Sequence, residues 1–254
     1  MEICFLGVAG GRIATAKQIK GYSTGGFRIK TNGIEIAVDP GPTAAYKTSL
    51  CRYRIERTNI LVVSHNHLDH VNDANVFAEA MNGYGFKKKG ILIASRNALK
   101  GEDRILTDYH INMFKEVYEG KPGNELSVLG IKFMFTPIKH SEETGFGFIM
   151  ESEGKRIGYT SDTVLFGELP DYFKNTDVLI ANIGKTKPGK YNVHMSLFPE
   201  GVELFKKAQP KLGIVYHLGF EFILYKNKEE LIKKAEKESG TKLILPRDMF
   251  KLRL

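Results

Sequence analysis

The chain has 254 residues, 42% of them hydrophobic and 26% charged, which is the composition of a folded globular protein and excludes disorder or a fibre. Lysine and arginine total 37 against 29 aspartate and glutamate, so the net charge of +8 favours anionic partners. No apolar run reaches the ~20 residues of a membrane-spanning helix, and the N-terminus lacks the basic region of a signal peptide, so we expect a cytoplasmic protein.

The first part of the chain alternates short β-rich runs with turns and contains one clear helical pattern. Five runs predict strands: Ile3–Val8, Gly26–Lys30, Gly33–Val38, Ile60–Val63 and Ile91–Ser95. The fourth of these is uninterrupted and apolar, as expected for a strand buried on both faces. Apolar residues recur at helical spacing within Asn72–Met81, which predicts a helix there. The segment Arg104–Tyr118 fits either a helix or an irregular insertion.

The second part is again β-rich before it becomes mixed. Its predicted strands are Leu126–Val128, Ile131–Phe135, Gly145–Glu151, Lys155–Thr160, Val178–Asn182, Leu212–Tyr216, Lys242–Leu245 and Met249–Leu254. Helices are predicted over Pro199–Gln209 and Lys226–Ser239. Two halves of this kind predict an α/β fold of two sheets packed face to face with helices outside. No linker divides the chain, so we expect one domain over residues 1–254.

The two cysteines, Cys4 and Cys51, are 47 residues apart and form no C-x-x-C pattern. A disulfide framework or a cysteine zinc site is therefore not expected. Free cysteine is among the most frequently buried residue types, so the prediction is two buried thiols.

Histidine is scarce at seven residues, yet four metal-capable side chains occur within six positions in His65-Asn-His67-Leu-Asp69-His70. This segment lies between the apolar strand and the predicted helix, where rigid elements can fix ligands. In extended geometry His65 and His67 project to the same side and can share one metal ion. Asp69 and His70 point elsewhere and can serve a second ion. A polar loop with hydrogen-bonded histidines is the weaker alternative for this spacing.

Three further polar residues follow apolar strands as His65 does. They are His140, Asp162 and His217. Because all of them stand at the carboxyl ends of predicted strands, they can converge with His65 on one rim of the sandwich. Taken alone, Asp162 would more often be a turn residue or a helix cap, so its assignment depends on the other residues.

The order of these residues resembles that of the metallo-β-lactamase fold hydrolases over nearly the whole chain. The resemblance implies an αββα four-layer sandwich with two mixed β-sheets, two bound metal ions, and Asp39 as a residue that supports the site. The implied ligands are His65, His67 and His140 for one ion, Asp69, His70 and His217 for the other, and Asp162 as the bridge. The imidazole of His67 favours zinc over the other metals, with manganese as the next candidate.

Within that superfamily, three features resemble the phosphodiesterase branch, which contains ribonuclease Z and the phosphoribosyl 1,2-cyclic phosphate phosphodiesterase. They are Thr144–Phe148, the Ser161–Thr163 turn and the segment Asn192–Ser196. The resemblance implies a metal-bridged hydroxide as nucleophile, and it places a catalytic histidine in the last segment. We therefore take Asp69 and His194 as candidate catalytic residues, with His194 as the acid that protonates the leaving alkoxide.

Alternatively, His194 is a surface or capping histidine, and the lysines of Gly184–Lys190 are ordinary solvated charges of a loop. His110 matches no motif and is predicted to be structural. The lysine clusters Lys87–Lys89 and Lys206–Lys207 fit RNA binding or solubility equally well, because we find no interleaved aromatic residues.

The substrate prediction depends on the spacing between His140 and Asp162. Ribonuclease Z usually carries a tRNA-gripping arm between the corresponding residues, whereas here 22 positions separate them and a β-hairpin accounts for these. We therefore predict a phosphodiesterase for a small or cyclic phosphodiester or a nucleic-acid end, and RNA stays open as a partner. The alternatives are a lactonase- or thioesterase-like carbonyl-ester hydrolase, a ribonuclease Z-like endonuclease without the arm, and a non-enzymatic nucleic-acid binder. Relatives often form homodimers, although no dimerisation element is obvious.

Overall fold

The computed structural model describes residues 1–17, 19, 21–189 and 193–254. Its strands are β1 (Glu2–Phe5), β2 (Phe27–Thr31), β3 (Ile34–Val38), β4 (Ile60–Val63), β5 (Ile91–Ala94), β6 (Glu116–Glu119), β7 (Glu125–Val128), β8 (Ile131–Pro137), β9 (Phe146–Ser152), β10 (Lys155–Tyr159), β11 (Val178–Lys185), β12 (Met195–Ser196), β13 (Leu212–Tyr216), β14 (Leu243–Ile244) and β15 (Phe250–Arg253). Its α-helices are α1 (Arg12–Lys17), α2 (Ala44–Leu50), α3 (Leu68–Val71), α4 (Ala74–Met81), α5 (Arg96–Lys100), α6 (Asp108–Ile111), α7 (Leu169–Tyr172), α8 (Val202–Ala208), α9 (Phe220–Leu224) and α10 (Lys228–Ser239). A 3₁₀ turn at Ile55–Arg57 and a wide helical turn at Leu197–Gly201 complete these elements.

The strands form two mixed sheets, as predicted from the sequence. The first sheet has the order β15-β1-β2-β3-β4-β5-β6 and is parallel from β3 to β6. The second has the order β14-β13-β11-β10-β9-β8-β7, with β12 beside β11, and is parallel from β10 to β14. Because β15 pairs with β1, the two ends of the chain meet in one sheet.

Strand β4 shows why the sequence folds into layers. Ile60 and Val62 face the large core between the sheets, whereas Leu61 and Val63 face a second core that contains Phe77 of α4. All four residues of β4 are fully buried, because side chains alternate across a strand and both faces are covered. The strand therefore provides a rigid base for the polar segment that begins at Ser64.

The predicted and observed elements differ mainly at helices and at element ends. The first strand ends at Phe5 instead of Val8, because the amides of Leu6 and Gly7 both donate to one carbonyl, that of Gly26, and the ladder stops. The predicted helix Asn72–Met81 begins only at Ala74, because the amide of Asp73 donates to the carbonyl of Pro40 at 2.8 Å.

Other predicted segments are shorter or more varied than expected. Arg104–Tyr118 contains both a short helix, α6, and the start of β6. The helix predicted over Pro199–Gln209 covers Val202–Ala208, since Gln209 adopts a left-handed conformation with φ 48° and ends it. In the described ranges, no helix is long and apolar enough to cross a membrane.

Candidate metal centre

The seven predicted ligand side chains lie together at one rim of the sandwich. Each of four strands carries a site residue shortly after its carboxyl end: β4 precedes His65, β8 precedes His140, β10 precedes Asp162 and β13 precedes His217. In the second sheet β8, β10 and β13 run in the same direction, since β9 between β8 and β10 pairs antiparallel with both. Their carboxyl ends therefore reach one edge, where the end of β4 in the first sheet meets them. The ligand atoms form two groups that could each hold a metal ion: His65, His67, His140 and Asp162, and Asp69, His70, Asp162 and His217.

In the first group, three imidazole nitrogens approach one another closely. His67 Nδ1 lies 3.1 Å from His65 Nε2 and 3.1 Å from His140 Nε2. Asp162 Oδ2 lies 3.8 Å from the same nitrogens of His65 and His140. The side chains of these two histidines and of Asp162 are almost fully buried.

The second group is tighter. His217 Nε2 lies 3.0 Å from His70 Nε2 and 3.1 Å from Asp69 Oδ2. Asp162 Oδ1 is 3.3 Å from His217 Nε2, and Asp162 Oδ2 is 3.4 Å from His70 Nε2. Asp162 thus contributes to both groups: Oδ2 faces both of them, and Oδ1 faces the second.

These distances fit tetrahedral metal ligands. A Zn–N or Zn–O bond of about 2.0–2.1 Å places neighbouring ligand atoms about 3.3 Å apart. The outer nitrogens of three rings already donate to the protein: His65 Nδ1 to Ser64 Oγ, His70 Nδ1 to Asp39, and His140 Nδ1 to the carbonyl of Val193. A neutral imidazole has only one N–H, so Nε2 of His65 and Nε2 of His140 face the centre with lone pairs. The residues present therefore fit a bound divalent cation.

Asp39 orients the centre and its oxygens are fully used. Oδ1 accepts the amide of Ser64 at 2.6 Å, and Oδ2 accepts Ser64 Oγ at 2.6 Å, Tyr159 Oη at 2.8 Å and His70 Nδ1 at 2.9 Å. Asp39 lies within ligand distance of His65 and His70. Because its oxygens already accept these hydrogen bonds, its role is to fix the orientation of the His70 ring. This agrees with the supporting role that the resemblance implies.

We expect Asp39→Asn to weaken metal affinity by roughly 10- to 100-fold, the usual effect of losing such an outer partner. An amide presents one oxygen, so it cannot accept all the hydrogen bonds from Ser64, Tyr159 and His70. Competition with a chromogenic zinc chelator measures the change. Tyr159→Phe removes one of these bonds and serves as the matched control; equal affinity in Asp39→Asn and wild type would contradict the role.

Burial and neighbouring charges shift the pKa values of the ligand residues in different directions. Burial lowers the pKa of His65 well below its usual value and the pKa of His140 to about 4, so both imidazoles are neutral, the form that binds metals. Burial opposes ionisation of Asp162, but the surrounding histidines, His217 first, hold its pKa well below the ordinary value. For His70, the nearby aspartates outweigh burial and raise the pKa well above normal.

The backbone is strained at three positions of the centre. Asp39, Ser161 and His217 have φ values of 48°, 54° and 57°, in the left-handed region that non-glycine residues seldom adopt. Gly10 packs directly against the ring of His217, where an added Cβ would lie 2.2 Å from ring atoms. The fold therefore holds these turns in conformations that serve the site.

His194 lies on the open side of the centre. Its Nε2 is 3.0 Å from Asp162 Oδ2 and its side chain is 20% exposed. The rings of His140 and His217 lie 5.0 and 5.5 Å away. The amide of Met195 donates to the carbonyl of Thr163, so the segment is tied to the Asp162 turn. Lys190 and Asn192, which the sequence analysis also singled out, lie outside the described residues.

Several contacts of the centre were not predicted from the sequence. Asn182 Nδ2 donates to Asp162 Oδ1 at 2.7 Å, and the amide of Gly11 donates to Asp69 Oδ2 at 2.6 Å. Glu142 is buried and accepts hydrogen bonds from four neighbouring residues, Asn66, Ser95, Asn97 and Thr144. His110 contacts Thr107 and Glu79 in the α6 region and is absent from both ligand groups.

The fold and this centre define a class: metal-dependent hydrolases with a two-sheet sandwich and a histidine–aspartate cluster at its rim. The model of the beta-lactamase superfamily domain matches residues 35–218. The chain belongs to this superfamily, the metallo-β-lactamase fold hydrolases.

Two curated relatives cover most of the chain. An uncharacterized protein of Methanocaldococcus jannaschii is 34% identical over 86% of this chain and 83% of its own length. A UPF0173 metal-dependent hydrolase of Pelotomaculum thermopropionicum is 26% identical over 85% of this chain and 84% of its own. The protein is accordingly a metal-dependent hydrolase.

Solved structures show the same fold. The metallo-beta-lactamase fold protein YhfI from Bacillus subtilis has a TM-score of 0.82 at 17% identity, covering 99% of this chain and 98% of its own. The short form of human tRNase Z has a TM-score of 0.73 at 12% identity, with 100% and 99% covered. A diphosphatase from the PhnP family has a TM-score of 0.69 at 16% identity, with 100% and 97% covered.

Proposed function

We propose that this protein is a dinuclear phosphodiesterase for a small or cyclic phosphodiester, with the whole chain as one catalytic domain. The observation that carries the proposal is His194, an eighth side chain of ligand type, which lies 3.0 Å from the shared Asp162 and outside both ligand groups. Hydrolysis of a phosphodiester expels a poor alkoxide leaving group, which benefits from such an acid. Two fold neighbours, the diphosphatase and tRNase Z, carry names that denote substrates with phosphate linkages.

We further propose that the ligand groups hold two zinc ions. The six nitrogen and carboxylate ligand residues other than Asp162 divide three and three, the number that a catalytic zinc usually takes, and imidazole suits zinc better than magnesium or calcium. Manganese is the next candidate. When bound, two such ions supply an acidified water and neutralise charge that develops on the phosphoryl oxygens.

Residues of the chain hold the ligand groups in place and transfer protons. Asp162 holds both ligand groups together, and Asn182 fixes its Oδ1. Asp69 Oδ2, held by the amide of Gly11, is the acceptor that we assign for a proton of the attacking water. His194 Nε2, on a partly exposed side chain, is the donor that we assign for the proton of the leaving oxygen. These roles give the centre one proton acceptor and one proton donor.

The surroundings suit a small substrate. A shallow depression of about 460 Å³ borders the centre and includes His140, Lys139 and Val193. Between His140 and Asp162 the chain contains the hairpin of β9 and β10, which pair from Phe148 to Ser152. This hairpin takes the place where the resemblance would put a tRNA-gripping arm. The net charge of +8 keeps a short RNA end as a second candidate substrate.

We expect metal removal to abolish hydrolysis of bis-p-nitrophenyl phosphate and zinc to restore it. The metal-loaded enzyme should prefer this ester over a lactone or a thioester by roughly 10²-fold, because groups placed for the charge of a phosphoryl transition state are misplaced for that of a carbonyl centre, and one misplaced group costs about that factor. Initial rates on the three substrates, before and after dialysis against a chelator, test the proposal. A faster reaction with the lactone or thioester would instead identify a carbonyl-ester hydrolase.

A further inference from the structure

The fold brings the chain's two cysteines into contact on the helical side of the first sheet. Cys4 lies in β1 and Cys51 directly follows α2, 47 positions later. Their sulfur atoms are 3.3 Å apart, and the Cys4 thiol donates to Cys51 Sγ. Both residues are free cysteines and buried, with 0% and 5% exposure. The prediction of two buried thiols is confirmed, but their contact was not anticipated.

Three cations act on Cys51, and two of them, Lys47 and Arg28, are also paired with carboxylates. Lys251 Nζ donates to the carbonyl of Cys51 at 3.0 Å, and Arg28 and Lys47 also act on the thiol electrostatically. The hydrogen bond from Cys4, followed by Lys251, lowers the pKa of Cys51, although burial opposes this. The same pairing raises the pKa of Cys4. Of the two thiols, Cys51 is thus the one that loses its proton more readily, and the thiolate is the form that reacts with oxidants.

Arg28 is a buried cation of this group whose hydrogen-bonding capacity is only partly used. One of its nitrogens pairs with Glu35 at 2.7 Å, whereas Nε and Nη1 are buried without a hydrogen-bond partner within the described ranges. Two thiols that served only as small apolar side chains would not require a cluster of cations beside them. The arrangement therefore resembles a reactive site more than a packing contact.

We propose that Cys4 and Cys51 form a reversible intramolecular disulfide when the protein meets a peroxide. The Cys51 thiolate attacks one peroxide oxygen, the O–O bond breaks, and the products are a Cys51 sulfenic acid and, after proton uptake, water. Cys4 sulfur then attacks Cys51 sulfur, an S–S bond forms, the S–O bond breaks, and the Cys4 proton leaves with the hydroxide as a second water. The two cysteines lose two electrons, and the peroxide gains them.

The disulfide requires little movement and has a structural consequence. The sulfur atoms must close from 3.3 Å to the usual S–S length of about 2.05 Å. The bond would tie the end of α2 to β1 across a loop of 46 intervening residues, so the unfolded chain loses freedom. For a chain of this size we expect the melting temperature to rise by roughly 10 °C.

The experiment treats the reduced, full-length protein with hydrogen peroxide and counts thiols with Ellman's reagent in denaturant. The count should fall from two to zero per chain, the intact mass should fall by two hydrogen atoms, and dithiothreitol should reverse both. Peptide mapping should recover Cys4 joined to Cys51. Two remaining thiols, oxygen adducts without loss of hydrogen, or covalent dimers on a non-reducing gel would each overturn the proposal.

Two single variants provide matched controls that do not depend on hydrolytic activity. Cys4→Ser retains Cys51 together with a hydroxyl that can donate to its sulfur, and it should accumulate a sulfenic acid that dimedone traps, because the partner thiol is missing. Cys51→Ala should leave Cys4 unreactive and show no rise in melting temperature after peroxide treatment. Dimedone labelling of Cys51→Ala at the rate of Cys4→Ser would contradict the assignment of Cys51 as the attacking thiol.

Discussion

Replacing Asp162 with alanine should reduce hydrolysis of bis-p-nitrophenyl phosphate by ~10³-fold or more. Its two oxygens contact both ligand groups, at 3.3 Å from His217 and 3.4 Å from His70, and Oδ2 also faces the first group. Without the carboxylate, neither proposed ion has its full ligand set. Metal catalysis of this kind lowers the activation barrier by several kcal/mol. A loss of about 4 kcal/mol corresponds to a reaction that is ~10³-fold slower.

Asn182→Ala is the matched control for this prediction. It removes one hydrogen bond to Asp162 Oδ1 but keeps the carboxylate, so we expect a loss of roughly tenfold, near the low end for an outer partner. Elemental analysis of the purified variants gives metal per chain, and circular dichroism checks folding. If Asp162→Ala kept wild-type metal content and rate, the shared-ligand assignment would be wrong.

The clustering of the candidate ligands was predictable because their signal is local. A buried strand followed within three residues by a histidine or aspartate indicates where the chain leaves the sheet, and His65, His140 and His217 all follow this rule. The parallel pairing of β10, β11 and β13 then brings Asp162 and His217 to one edge. Composition played a smaller part, since the net charge alone does not distinguish a metal-assisted phosphodiesterase from an RNA-binding protein.

The supporting residues were not predictable because their roles depend on tertiary contacts. Tyr159 is the last residue of a strand and resembles ordinary core until the fold places its hydroxyl 2.8 Å from Asp39, 120 positions away. The same is true of Asn182 within β11 and of Cys4 beside Cys51. Helices such as α2 are short, so their sequences contain too few turns for a periodic pattern.

Replacing His194 with glutamine should slow cleavage of a 2′,3′-cyclic nucleotide by ~10²- to 10⁴-fold while metal content stays at the wild-type level. The amide can still donate to Asp162 Oδ2, the contact that His194 Nε2 makes at 3.0 Å, but it cannot transfer a proton. A structural role in holding that contact would thus be largely preserved, whereas an acid role would be lost.

The leaving group separates the two roles further. The cyclic nucleotide expels an alkoxide, which needs protonation, whereas bis-p-nitrophenyl phosphate expels a stabilised phenolate, which does not. An acid at His194 therefore predicts a large loss of kcat on the first substrate and a loss of less than about tenfold on the second. Equal losses on both substrates would show that His194 positions Asp162 or the substrate instead. Unchanged rates on both substrates would indicate that His194 is the surface histidine that the sequence also allowed.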